Sequence, residues 1–394
     1  MIALFGYFVI AALLSWFLNW LALIPWRRAA GQHWTERARR LYPARVSGQL
    51  NAWLIAVCLA LFSCLHAPGP SFLAIYFAGF LGALLGSYPM SRAIFPEFRF
   101  SSWIHAVMFS LVYSGGIWVI FFVVALNMPN NFGLKTWLMG IAFLILQLAL
   151  LAGLGLRLMR WFRLLKPASE RLRSIVAETS AKMAVPVRAV WESTNPAANA
   201  VALVVTRELL FTQKLLATAP DDEIKAICAH ELGHLNETRW VLAARILGTL
   251  SFFPFIFSRP IYVQQGPGGL AALAFFILLI RSRFLRKKLA HRMEKQADEI
   301  AMASVEGAPI YARALERLYQ INQMPAIMRG KNIHPDLWDR MVSAGVSPDY
   351  SRPQPPAAMS WTSTVLIVTG VLLAGTIITG PEIPALRQFH DIFP

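Results

Sequence analysis

Residues 218–237 read TAPDDEIKAICAHELGHLNE, and the reading of this stretch decides how the middle of the chain folds. Histidines at i and i+4 leave one face of a helix a turn apart, so His230 and His234 can reach one tetrahedral cation. Glu231, one residue after the first histidine, is angled to sit beside a water on that cation and take its proton. Upstream, Thr218 or Asp221 is the expected N-cap, and Asp221, Asp222 and Glu223 occupy a first turn whose dipole favours acids. By chance, an HExxH occurs in on the order of half a percent of chains of this composition. The plain alternative is a helix with two ordinary surface histidines.

A catalytic zinc takes three protein ligands and leaves a position open, so a third ligand is the next thing to find. His234 stands about twelve residues before an apolar run at 246–263, and Glu294 about thirteen after a second run at 269–280; the turn-forming QQGPGG joins the runs. If both flanks are helical, each rises roughly 18–20 Å at 1.5 Å per residue, which brings the two residues to one height. Around Glu294 the chain reads HRMEKQADEIA, residues 291–301. His291, Glu294 and Asp298 share a face there, whereas Glu299 points away. Glu294 is the expected ligand and Asp298 the expected support of a ligand histidine. Alternatively, these acids form a solvated stripe paired with Arg292 and Lys295.

Further outward the chain is apolar. Of 394 residues 56% are apolar and 15% charged, with a net charge of +16. A soluble domain cannot hide that much apolar surface, so a membrane class comes first. The basic residues flank apolar runs instead of forming one face and no nucleic-acid motif accompanies them, which excludes nucleic acid and points to anionic lipid. Apolar runs lie at about 3–25, 51–66, 71–88, 102–126, 136–158, 246–263, 269–280 and 362–380. The opening run has no basic n-region and no cleavage site and is expected to stay as a spanning helix. The runs at 51–66 and 71–88 are short, and HAPGP between them allows one tight hairpin. The segment 26–50 carries six arginines against Glu36 alone, so it is expected in the cytoplasm. Alternating the spans from there puts every basic cluster on one side, with eight spans and both termini outside. The three cysteines, Cys58, Cys64 and Cys228, imply no disulfide framework.

The expected fold class is therefore a mainly α, polytopic membrane protein of about 7–8 spanning helices with a small α+β gluzincin-type metallopeptidase domain. Its parts are N-terminal spans at 1–160, a cytoplasmic half-domain with the HExxH helix at 161–245, a membrane hairpin at 246–280, a second half-domain at 281–345, a Pro-rich linker at 346–361, and a last span with a short tail at 362–394. Within 161–245, RLRSIVAETSAKMA has the spacing of an amphipathic helix, while VPVRAVWEST and NAVALVVTRELLFT alternate as short strands do.

At these residues the chain resembles the integral-membrane zinc metallopeptidases of the CAAX prenyl endopeptidase and HtpX heat-shock protease family. NAVA at 199–202 is similar to that family's NAxA strand, AHELGH at 229–234 to its zinc helix, EKQAD at 294–298 to its ExxxD and HPDLWDR at 334–340 to its HPxxxxR. The resemblance implies Glu294 as third zinc ligand and Asp298 as its supporting acid. It also implies an edge strand at Asn199, Ala200, Val201 and Ala202 where extended substrate pairs through its backbone, with His334 and Arg340 lining the site and His334 stabilising the oxyanion. The chain departs from the family in placing five apparent runs before the domain and in lacking the aromatic and glycine of NAFATG.

The expectation is a zinc endopeptidase, one Zn2+ per chain, cleaving membrane or membrane-proximal proteins in quality control or regulated proteolysis. It is expected to sit in a bacterial inner membrane with its site facing the cytoplasm; the oligomeric state is not legible. Two rivals are a sensor-transducer protease that cleaves a dedicated cytoplasmic repressor and a non-catalytic zinc-binding scaffold. The outside loops offer no sizeable sensor, and a structural site has no need of Glu231.

Overall fold

The computed structural model describes residues 2–66, 72–110, 116–251, 253–265, 270–304, 307–329 and 335–379. Helices dominate. Among the described residues, five stretches are long and apolar enough to cross a membrane: Ile2–Arg27, Trp34–Leu65, Phe72–Ile94, Leu134–Trp161 and Arg239–Gln264; Trp361–Ile377 is a shorter apolar helix. The chain is an integral membrane protein on this evidence. Exposed large side chains such as Phe5, Trp16, Leu138, Ile145, Val371 and Leu372 stud these helices, as expected where lipid replaces water as solvent.

In chain order the elements used below are α1 (Ile2–Ala22), α2 (Trp34–His66), α3 (Phe72–Gly86), α4 (Leu134–Ala149), α5 (Gly155–Trp161), β1 (Leu165–Pro167), α6 (Glu170–Met183), β2 (Ala189–Ser193), β3 (Ala200–Leu203), β4 (Glu208–Thr212), α7 (Asp221–Leu235), α8 (Arg239–Leu250), α9 (Leu270–Ser304), α10 (Ala308–Ile321), α11 (Leu337–Ser343) and α12 (Trp361–Thr379). They fall into two compact units. One comprises the described residues of Met1–Trp103, Gln323–Arg329 and Arg352–Pro394, the other those of Ile104–Asn322 and Gly330–Ser351.

The first unit departs from the sequence reading in one respect. The basic segment 26–50 is not a loop throughout: α2 starts at Trp34 and runs 33 residues to His66, carrying Pro43 within it. Arg39 and Arg40 both bind Glu36 at 2.6 and 2.7 Å on the first turns, which ties down the helix start. The run at 51–66 is thus the far part of one long helix, and Trp34–Leu65 and Phe72–Ile94 are each long and apolar enough to cross a membrane. In α3, a Cβ at Gly82 or Gly86 would fall 2.0 and 2.1 Å from backbone oxygens of α1, the close backbone approach that small residues permit in membranes.

The second unit holds the small sheet, in the order β1-β2-β4-β3. β2 and β4 pair in parallel, while β1 and β3 pair antiparallel with β2 and β4. The strand expectation holds at β2, β3 and β4, and β1 adds a strand the pattern did not announce. α6 matches the amphipathic stretch; Ser169 caps it by accepting from Leu172 N, and Ala184 ends it in the left-handed region at φ 53°. Neither Thr218 nor Asp221 caps α7. The N-cap position is Pro220, and no side chain caps it; the Thr218 hydroxyl donates back to Lys214 O at 2.7 Å. Leu209, Leu210 and Phe211 of β4 are buried, and β3 is left as an edge.

Candidate metal centre

α7 is buried along nearly its whole length, from Glu223 to Leu235. Glu223 does more than face the dipole: Arg317 of α10 grips it at 2.6 and 3.0 Å, pinning the helix start. The middle glycine of HELGH has a packing reason as well. A Cβ at Gly233 would meet the Ala297 Cα at 3.2 Å, so α7 and α9 approach as closely as their backbones allow. That approach carries Glu294 to the two histidines.

α9 is one continuous helix of 35 residues, so the extrapolated rise on that side holds; on the other, α7 ends at Leu235 and α8 restarts at Arg239. One ligand atom each from His230, His234 and Glu294 lies within 4.8 Å of the others, and all three residues are buried. His230 Nε2 is 3.5 Å from Glu294 Oε2, and His234 Nε2 is 3.5 Å from Glu294 Oε1. His291, by contrast, is exposed and outside the cluster.

The surroundings fix which ring nitrogens carry protons. Tyr311 Oη donates to Asp298 Oδ1 at 2.6 Å and lies 2.8 Å from His230 Nδ1; that nitrogen is also 3.1 Å from Asp298 Oδ1. With the phenol proton committed to the carboxylate, His230 Nδ1 must be the donor, and the lone pair sits on Nε2. His234 Nδ1 lies 3.2 Å from Glu237 Oε1, again an acceptor, so its lone pair is on Nε2 too. Two imidazole lone pairs and a carboxylate then converge on one buried point. Three acceptors in that arrangement repel one another unless a cation lies between them, so the donor set fits a divalent metal such as zinc.

The supporting groups form two arms. In the first, Arg340 of α11 donates to Asp298 through Nε at 2.8 Å and Nη2 at 2.5 Å, and to Tyr311 Oη at 2.6 Å. Burial pushes the Asp298 carboxyl up, but the bonds to His230 and Arg340 outweigh it and hold the group below its usual value. Burial likewise opposes charge on His230, yet the Asp298 and Glu294 bonds raise the metal-free ring to about 9; without a metal, Glu294 faces an Nε2 proton at the position a cation would take. In the second arm, Glu237 binds His234 and is clasped by Arg245 of α8, through Nε at 2.7 Å and through Nη2. Burial raises Glu237, and His234 and Arg245 together bring it below the ordinary carboxylate value.

Glu231 points to the free edge of the sheet: its Oε2 accepts the Ala202 N–H at 2.7 Å. Asn199 leads into β3 with its N–H on the Thr212 hydroxyl at 2.8 Å, Ala200 is buried, and Val201 and Ala202 are half-buried. Of the residues singled out in the sequence, His230, Glu231, His234, Glu294, Asp298, Arg340 and 199–202 therefore occupy one neighbourhood, and His334 lies outside the described residues. Tyr311, Glu237 and Arg245 were not foreseen. Glu237, three residues after His234, was open to a helical-spacing argument; Tyr311 carried no local signal. Cys228, on the same helix, is fully buried, and burial pushes its thiol up to about 12, which makes it inert packing.

Residues 167–357 match the model of peptidase family M48. Two curated relatives are each called a protease HtpX homolog. One, from Thermoplasma acidophilum, is 28% identical over 151 residues, covering 36% of this chain and 47% of its own. The other, from Trichormus variabilis, is 28% identical over 173 residues, covering 39% of this chain and 60% of its own. The chain thus spans about half the length of the curated relatives it matches. The matched stretch contains His230, His234 and Glu294, and apolar helices lie on both sides of it.

Proposed function

We propose that the M48 domain at 167–357 is a zinc-dependent endopeptidase with one ion per chain, held by His230, His234 and Glu294. It acts on membrane or membrane-proximal proteins from the cytoplasmic side of a bacterial inner membrane, in quality control or regulated proteolysis. The observation that carries this reading is the convergence of two Nε2 lone pairs and one carboxylate beside a glutamate that touches the sheet edge.

When bound, zinc supplies Lewis acidity to the peptide carbonyl and to water. Everything else is assigned to the chain. An extended peptide adds to the edge at Asn199, Ala200, Val201 and Ala202 by backbone hydrogen bonds. Because Glu231 holds the Ala202 N–H, that edge lays the cleaved bond beside the base. Glu231 takes one proton from water as oxygen attacks the carbonyl carbon, then gives it to the departing nitrogen as the C–N bond breaks. His334 is assigned to the developing oxyanion. Asp298, Tyr311 and Arg340 hold His230 in the ligating tautomer, and Glu237 with Arg245 does the same for His234.

The test uses purified full-length protein, a single-span membrane reporter and metal analysis. Glu231→Gln is expected to keep about one zinc per chain and to lose roughly a thousandfold in cleavage rate, within the range of general-base contributions. Chelation should stop the wild type and zinc should restore it. Cleavage of the reporter at the same rate by Glu231→Gln would sink the proposal.

A further inference from the structure

The open side of β3 does not offer all of its backbone groups. In an extended strand the N–H and C=O of one residue point the same way, and the direction alternates from residue to residue. Asn199 faces β4: its N–H donates to the Thr212 hydroxyl at 2.8 Å, and its carbonyl accepts the Thr212 N–H at 2.9 Å. Ala198, Ala200 and Ala202 therefore turn their N–H and C=O to the open side, and the Ala202 N–H on Glu231 agrees with that.

The Ala198 pair is taken. Asn322, itself buried, accepts the Ala198 N–H on Oδ1 at 3.0 Å and donates from Nδ2 to the Ala198 carbonyl at 2.7 Å. A carboxamide carries the same donor and acceptor as a peptide group, so Asn322 stands where one residue of an added strand would pair. Its helix holds it there: Asn322 is the C-cap of α10, with its own N–H on Leu318 O at 3.1 Å. Exposure falls toward the same end of the edge, from half-buried Ala202 and Val201 through Ala200 at 7% to Ala198 at 1%. Between Glu231 and Asn322, no side chain among the described residues takes the Ala200 N–H or carbonyl.

We propose that Asn322 is a specificity-determining stop on the substrate edge: its carboxamide ends strand addition at Ala198, so an extended substrate pairs its backbone with Ala200 and no further. This rests on the endopeptidase reading above. An antiparallel added strand runs its downstream residues from Ala202 toward Ala198. The bond beside Glu231 lies near Ala202, so with a period of two the Ala200 pair meets a residue about two beyond the cleaved bond, and Ala198 would meet one about four beyond. The site thus asks for extended chain over a short stretch downstream only. A segment that turns, or enters folded structure, soon after the cut still fits.

Full-length zinc-loaded protein is given quenched fluorogenic peptides built on the cut site mapped in the single-span reporter, with one backbone amide N-methylated at a time. In the wild type, N-methylation of the residue that pairs with Ala200 is expected to raise KM about fivefold, the scale of one net hydrogen bond. Two residues further downstream it should change KM by less than about twofold, because no bond is made there. In Asn322→Ala, which frees the Ala198 pair, the second position should also cost about fivefold, with about one zinc per chain retained. Asn322→Ser takes its place if the Ala variant does not hold zinc, and the wild-type scan needs neither. Equal wild-type effects at the two positions, or a zinc-bound Asn322 variant that still tolerates N-methylation at the second, would overturn the stop alone. Absence of any Glu231-dependent cleavage would overturn the endopeptidase reading with it.

Discussion

Both units of this protein bury polar side chains, but they bury different kinds. In the first, Ser15, Asn19, Ser47, Asn51, Ser360 and Ser363 are at most 8% exposed. They form a neutral ladder across three helices: Asn19 Nδ2 donates to Ser15, Asn51 Nδ2 to Asn19 Oδ1, Ser363 to Asn51 Oδ1, and Ser360 to Ser47, at 2.7 to 3.3 Å. In the second, His230, Glu231, His234, Glu294, Asp298 and Arg340 are at most 9% exposed, and all six are ionisable. Neutral amides and hydroxyls inside a membrane protein satisfy one another and set helix register, at modest gain. Charges at that depth are tolerated only when paired or coordinating. The first network makes structure; the second gathers charge that the proposed metal ion would answer.

That contrast can be broken, most severely at the centre. Glu294→Ala removes one of three ligands, so the expected result is loss of bound zinc by elemental analysis and loss of all cleavage; full zinc content would show that a different acid ligates. Next comes Arg340→Ala, which strands a buried carboxylate. It should destabilise the second unit by about 3–5 kcal/mol in denaturant unfolding and weaken zinc binding about 10- to 100-fold in competition with a chelator. If Arg340 were an ordinary surface cation, neither would move.

Gly233→Val drives side-chain atoms into the Ala297 backbone. Overpacking of this sort costs about 1–3 kcal/mol, and because it parts α7 from α9 the zinc affinity should drop together with the melting temperature. Smallest is the effect in the neutral ladder. Asn51→Leu should cost about 1 kcal/mol, seen as a lower melting temperature in detergent, with zinc content and cleavage rate unchanged. A loss of zinc there would erase the distinction between the two networks.

How much of this was readable depended on range. HELGH, its helical spacing and the choice of Glu294 from a later helix were legible, because helix geometry converts spacing into direction and height. Strands β2 to β4 were legible through alternation. The start of α2 inside a basic segment was not, since charge marks a membrane side without stating whether the backbone there is helical. The capping expectation at Thr218 or Asp221 failed because a local rule lost to the route by which the preceding helix enters.

The sequence by itself determined the donor types, their order along the chain and the solvent in which most of the chain lives, because these follow from composition and from periods of a few residues. Only the tertiary structure decided that Tyr311 and Arg340, from two later helices, close on Asp298, that Arg245 reaches Glu237, and that the edge of β3 meets Glu231. The reason is that a hydrogen bond between elements tens of residues apart depends on how helices pack, and packing is a property of facing surfaces that no single stretch contains.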